Sequence, residues 1–434
     1  MVRVKTPWFE QRSIIKRHTF CQYKWFLKRR QRKGANNLQI VVLISAILLI
    51  LGFQTVKSVQ AQGTPGVVPG VSTFSDTIPE IASQGTIAIQ TLNFVFTNVK
   101  ARLDVLRHGA VGMKYKGLLS SNEEIPPANR YAGPITNIGR GESASANESS
   151  ILDRLGTFVS STGSFGDKDQ TNREAGFDFD TIGTVAGIDY KFTDNLILGT
   201  MFGYNNKDVD FDSSSDSLNI NGYNGSLYGM YLSKNFYIDG ITSYGWDDYN
   251  SKYKVGSSKL KGNPDGTQYS SSISTGYDFN IRSFTIGPVG RVNYTRVDIE
   301  GHQVKDDSSS TLEIDHQDIE SLTSFLGIEA SYALKVPKSL EKVRLGVLVP
   351  HIRLEWVHEY ENDSRDIDAN FVKGSLNTPL SFSTDSLDKD FLNFGLGLTS
   401  VFAGGISAYV YYETPLGLDN VTAHNITAGV RFEF

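Results

Sequence analysis

The chain has 434 residues and is rich in Gly (41), Phe (25) and Tyr (20), with one Cys and four Met. This balance argues against an ordinary soluble globular protein and excludes a disulfide-stapled scaffold. Residues 1–61 carry 12 Lys and Arg and a single acid, Glu10, which leaves 30 basic and 46 acidic residues beyond position 61, a net charge of about −16; an acidic body of this kind argues against nucleic acid as a partner.

The first element is an address. Eleven Lys and Arg precede position 38, and the apolar run LQIVVLISAILLILGF follows from Leu38 to Phe53. The run is short for a permanent membrane anchor. Val59 and Ala61 are small enough for a signal peptidase, so cleavage is expected between Ala61 and Gln62. Residues 1–61 therefore read as a signal peptide with an extended basic n-region, used by the general secretion machinery. Cys21 falls in the segment to be removed, which leaves a body without thiolate chemistry.

Residues 62–79 are Gly, Pro, Ser and Thr rich and read as loop. An amphipathic helix is expected over 80–109, with Pro79 in its first turn and Gly109 at its C-cap. Leu92, Phe96, Val99, Leu103 and Leu106 share one face. Asn93, Thr97, Lys100, Asp104 and Arg107 share the other. Lys100, Arg102 and Arg107 sit toward the negative end of the helix dipole. Residues 110–150 read as linker.

From 151 to 434 the chain alternates at period two. Twelve strands are expected, at 154–165, 177–192, 196–211, 218–233, 236–253, 267–282, 283–300, 311–335, 343–360, 389–402, 405–414 and 420–434. Tight turns at 193–195, 233–235 and 403–405 alternate with long polar connections at 212–217, 256–266, 302–310 and 362–388. Leu392, Phe394, Leu396, Leu398 and Phe402 share a face, opposite Asn393, Gly395, Gly397 and Thr399. Soluble sandwiches alternate too, but their strands usually run about five or six residues. Several of these run much longer, enough to cross a bilayer on a tilt. The pattern predicts an all-β fold, a transmembrane up-and-down antiparallel β-barrel of about twelve strands, preceded by one amphipathic α-helix.

The chain ends HNITAGVRFEF. In a closed barrel the last strand pairs with the first, so an aromatic terminus can lie within the sheet. Ile426, Ala428, Val430, Phe432 and Phe434 would then face lipid. Their spacing resembles the C-terminal assembly signal read by the barrel assembly machinery of bacterial outer membranes.

Three stretches carry a wider resemblance: FGDKDQTNREAGFDFDTIGTVAGIDYKFTDNLILGTMFGYNN (165–206), FYIDGITSYGWDDYNSKY (236–253) and NITAGVRFEF. With QTLNFVFTNVKARLDVLRHGAVG (90–112), they make the chain similar to the autotransporter β-domain family, the translocators of type V secretion. The resemblance implies a barrel, expected to be monomeric, in the outer membrane of a Gram-negative-type cell, with the helix in the lumen; Lys100, Arg102 and Arg107 are then expected to meet acids of the inner wall, supplied by the acid excess of the chain. A periplasmic helix packed under the barrel is the alternative. Only residues 62–79 stand where the family carries a large passenger, so a translocator with a passenger remnant, acting through its surface loops, is the expected function.

No motif of a hydrolase, phosphate loop or metalloprotease occurs. His351 and His358 fall on opposite faces of one strand, which is poor spacing for a metal. No catalytic, cofactor-binding or metal-ligating residue is assigned and no enzyme is expected. A porin-like channel and an outer-membrane barrel enzyme are the competing readings.

Overall fold

The computed structural model describes residues 78–107, 154–212, 216–255, 258–305, 310–335, 345–373, 376–402 and 405–433. The expected signal segment with Ala61 and Gln62, the 110–150 linker and Phe434 lie outside them.

Among the described residues the helix α1 spans Ile78–Val105, 28 residues, about 42 Å at 1.5 Å per residue. It begins where Pro79 was expected to start it. The wall follows as twelve antiparallel strands that close on themselves. In chain order these are β1 (Leu155–Lys168), β2 (Phe177–Lys191), β3 (Leu196–Phe211), β4 (Ser217–Ser233), β5 (Phe236–Val255), then β7 (Asp265–Tyr277) after the short β6 (Ser258–Gly262). A three-residue piece, β8 (Phe279–Ile281), leads into β9 (Phe284–Ile299). β10 (His302–Lys305) and β11 (Ser310–Ile314) precede β12 (Gln317–Tyr332), and β13 (Leu334–Lys335) precedes β14 (Leu345–Glu359). β15 (Asp366–Lys373) and β16 (Leu376–Ser383) come before the last three wall strands, β17 (Asp390–Phe402), β18 (Ile406–Leu416) and β19 (Val421–Glu433). Closure is a full-length pairing of β1 with β19, from Gly156 opposite Glu433 to Lys168 opposite Val421. The barrel thus has no free edge, as backbone groups in hydrocarbon require.

Alternation along each strand sets two faces. Ile182, Phe202, Leu227, Trp246, Ile273, Leu326, Ile328, Trp356, Val410 and Phe432 point outward and are exposed. An apolar band of this size would aggregate in water; around a closed barrel it is the lipid face. Ile426, Ala428 and Val430 share that outward face with Phe432, while Asn425, Thr427 and Arg431 point in.

The long connections differ from their reading as polar loops. Those at 256–266, 302–310 and 362–388 contain β6, β10, β15 and β16, while β11 forms the first part of the strand expected at 311–335. Beyond its pairing with β7, β5 continues upward beside β6, from Ser251 opposite Gly262. β6 then meets β10, β10 meets β11, β11 meets β15, and β15 meets β16. These six strands raise the wall into a collar at the long-loop end. Tyr253, Leu260, Val304, Leu312, Ile314, Ile367, Ala369 and Phe371 line its inside and bury Ile81 of α1. Hydrophobic burial around one helical side chain is what turns these connections inward.

At the short-turn end, Gly405 has φ +79, and a Cβ there would lie 2.5 Å from the Glu433 carbonyl oxygen. That carbonyl belongs to the strand which closes the barrel. We expect Gly405→Val to cost about 1–3 kcal/mol through left-handed strain plus the close contact. Fewer molecules should reach the heat-modifiable folded form, while Gly163→Ala, where a Cβ meets nothing within 4 Å, should match the parent.

Candidate functional site

The site is the lumen, and α1 occupies it. Phe96, Val99, Leu103 and Leu106 pack on Phe158, Val185, Ile197, Met201, Tyr228, Met230 and Ile241 of β1–β5. The same periodic face that marks the helix in the sequence therefore lies on the wall of the first five strands. Higher up, Ile87 and Ala88 join Phe177, Phe179, Val209, Phe211, Leu218, Ile220, Tyr249, Val297 and Ile299. The inner wall is therefore not polar throughout, as the Asn393, Gly395, Gly397 and Thr399 face alone would suggest. Where an apolar helix face must be buried, the wall is apolar too.

The other face is charged, and three ion networks hold it. Lys100 Nζ donates to Glu355 Oε2 at 3.4 Å and Glu413 Oε1 at 3.0 Å. Arg291 Nη2 reaches the same Glu355 oxygen at 3.1 Å, and Asn393 Nδ2 donates to Glu355 at 2.9 Å and to Glu413. Arg107 pairs with Glu329 and, at 3.2 Å, with Asp104 one turn before it. Arg353 of β14 bridges back, to Asp104 at 2.8 Å and to Glu329. Arg102, fully buried, pairs with Asp189 of β2, which Arg431 of the closing strand also reaches at 3.1 Å. Each network sets cations against anions inside a wall that excludes lipid. Buried charges are tolerated only when paired in this way.

Neutral contacts set the register. Ser160 Oγ donates to Asn98 Oδ1 at 2.8 Å. The Arg102 guanidinium lies 4.9 Å from the Phe158 ring centroid and that of Arg107 4.3 Å from the Tyr237 centroid, both within cation–π reach.

At the collar end a latch holds the start of α1. Ala175 N donates to Pro79 O at 3.1 Å, and Thr86 Oγ1 to Glu174 Oε2 at 2.9 Å. Glu174 also accepts from the Asp385 amide at 2.9 Å, and Lys168 pairs with Asp385 at 2.9 Å. Burial raises the Glu174 carboxyl above its ordinary value despite Lys168 beside it, and burial lowers the Arg365 guanidinium. Arg365 crosses the helix at Gly85, where a Cβ would overlap its Nη2. That crossing accounts for a glycine within a helix.

The lumen is not filled completely. A cavity of about 180 Å³ separates Thr86, Ile89 and Thr97 of α1 from Arg291, Glu359 and Glu413 of the far wall. It has room for a cluster of waters between the helix and the wall. His351 stacks on Tyr411 inside, whereas His358 bonds Asp390 at 2.8 Å outside the wall. Asp298, His316 and Asp318 approach one another closely enough to share a cation, but the Arg296 guanidinium already sits 3.3 Å from Asp298 and 2.8 Å from Asp318.

The latch residues and the acidic partners were missed in the sequence. Glu355 and Glu413 lie 255 and 313 positions from Lys100, and nothing local marks them. Their one signal is an acid at an inward position of the strand alternation.

A closed barrel with an apolar outer band and a helix held through its lumen defines the translocator class of outer-membrane proteins. A family model described as the autotransporter beta-domain matches residues 157–413. The chain belongs to that family, and its place is the outer membrane of a Gram-negative cell. It is similar to outer membrane protein B of Rickettsia prowazekii, 23% identical over 382 residues, covering 84% of this chain and 21% of the relative. It is also similar to the esterase EstA of Pseudomonas aeruginosa, 22% identical over 290 residues, covering 64% of this chain and 42% of the relative. The chain thus spans about a fifth of the first relative and less than half of the second. Among solved structures, the translocator domain of autotransporter NalP from Neisseria meningitidis superposes with a TM-score of 0.50 at 14% identity, over 65% of this chain and 89% of that one.

Proposed function

We propose that the chain is a translocator whose resting state is a helix-filled barrel, with the collar outside the cell and the short turns in the periplasm. The direction of α1 carries this reading. Its start is latched under the collar, while Lys100, Arg102 and Arg107 are held toward the short-turn end. A segment preceding Ile78 would then be presented at the cell surface, and the collar would be the surface that meets external partners.

On this reading residues 1–61 are removed after Ala61 by signal peptidase, the secretion machinery delivers the rest, and the barrel assembly machinery reads Ile426, Ala428, Val430, Phe432 and Phe434. The barrel works as a monomer and not as an enzyme; the esterase named among its relatives is that relative's own activity. The helix packed and ion-paired through the lumen favours a closed translocator over a porin-like channel.

Orientation is tested by labelling single cysteines in whole cells. Lys261→Cys should react with a membrane-impermeant maleimide in intact cells. Asn195→Cys should react only after the outer membrane is permeabilised. The reverse pattern overturns the proposal.

A further inference from the structure

The collar carries a feature that translocation does not use. Along its outer surface the register sets Lys252 of β5 directly opposite Lys261 of β6, and Lys261 opposite Lys305 of β10. Their neighbours Tyr253, Leu260 and Val304 are buried on the inside, and all three lysines are exposed. The three lysine positions therefore form one row about 10 Å long, at roughly 4.8 Å between strands. One alternation further, Lys254 pairs with Lys259.

Like charges set directly opposite one another in a sheet oppose its pairing. None of Lys252, Lys261 and Lys305 has an ion-pair partner among the described residues. Among the described residues, outward acids of the neighbouring strands are displaced: Asp248 lies four residues along β5 from Lys252 and faces Asp265 of β7, and Glu313 is engaged by Gln303 at 2.7 Å. A cationic row stands out on a body that is otherwise acidic.

Height selects its partner. Lys252 continues the outward alternation of Tyr244 and Trp246, the exposed aromatics of the same strand. Six residues beyond Trp246, at about 3.3 Å each and a tilt of roughly 40°, place Lys252 roughly 15 Å above that aromatic girdle. This is the layer occupied by the phosphorylated sugars of the outer leaflet, beside the wall rather than far above it.

We propose that the row of Lys252, Lys261 and Lys305 binds the phosphate groups of lipopolysaccharide and so fixes the collar against the outer leaflet. This rests on the collar facing outward, yet the binding itself is measured without reference to orientation. Three ammonium groups in a row match an array of phosphates as point charges. The attraction should fall as salt is raised.

The full chain, purified in neutral detergent, is titrated with three probes: lipopolysaccharide retaining its lipid A and inner-core phosphates, the same material dephosphorylated, and heparin. The parent should bind the phosphorylated form with a salt-dependent affinity and lose most of it on dephosphorylation. Lys252→Gln, Lys261→Gln and Lys305→Gln combined should weaken binding about tenfold or more, with heat-modifiability unchanged, and the corresponding triple Arg variant should restore it. Equal binding of the dephosphorylated form overturns the proposal, as does undiminished binding by a folded Gln variant. Binding of heparin without lipopolysaccharide also overturns it and assigns the row to a soluble polyanion. If the Gln variant does not fold, the dephosphorylated probe on the parent still decides.

Discussion

Deleting residues 78–107 should turn a nearly silent barrel into a conducting one. Strand pairing closes the wall from β1 to β19 without help from α1, so a folded, heat-modifiable barrel should remain. What changes is the lumen. Phe96, Val99, Leu103 and Leu106 leave the apolar wall of β1–β5, and water and salt take their place. On the other side, Arg291, Arg353, Glu329, Glu355 and Glu413 become free to face electrolyte. Single-channel conductance in planar bilayers should rise several-fold over the full chain, and the current should lose the noise expected of a plug that loosens and returns. A folded truncated barrel that conducts no more than the parent would place the helix outside the pore.

The second large effect is at Asp189. Its carboxylate lies between Arg102 of the helix and Arg431 of the closing strand. Asp189→Ala would leave two guanidinium groups side by side in a buried site. Removing one member of a buried pair costs about 3–5 kcal/mol, and water entering the lumen from the cavity will reduce this. The wall has its own hydrogen bonds and should persist, so the loss falls on helix docking. Protease added to purified barrel should cut α1 at least tenfold faster in the variant than in the parent. Arg102→Met should be milder, because Asp189 keeps Arg431. If Arg102→Met proves as damaging as Asp189→Ala, the triad does not hold the helix as described.

Legibility followed the range of the interactions. The wall was readable because each strand must present one face to lipid: Ile182 and Ile188 alternate with Val185 and Asp189 on β2 whatever lies elsewhere in the chain. Length removed the remaining ambiguity, since β5 at 20 residues is far beyond a soluble strand. The start of α1 was readable from Pro79, and one helix face from Phe96, Val99, Leu103 and Leu106. The collar was not. Its strands β6 and β10 have five and four residues within polar connections, each held by a neighbour from another connection, and β11 was read as one strand with β12. The apolar lining around Ile87 was missed for a related reason. Phe177, Phe179 and Val209 have no local reason to face inward until the helix beside them is placed. The ion partners are non-local in the same sense: Glu413 acquires its meaning only when β18 and α1 meet.

The most direct test is of the helix inside the wall. In the full chain, Asn98→Cys with Ser160→Cys replaces two side chains whose oxygens are 2.8 Å apart, one on α1 and one on the inner face of β1. Ser226→Cys with Ser243→Cys, whose oxygens lie 2.9 Å apart across β4 and β5, serves as the control within the wall. Outer membranes are oxidised and the chain is unfolded without reductant. The account predicts a faster-migrating, reductant-sensitive species for both pairs in most of the folded population. A cross-link at the wall pair with none between positions 98 and 160 would contradict it.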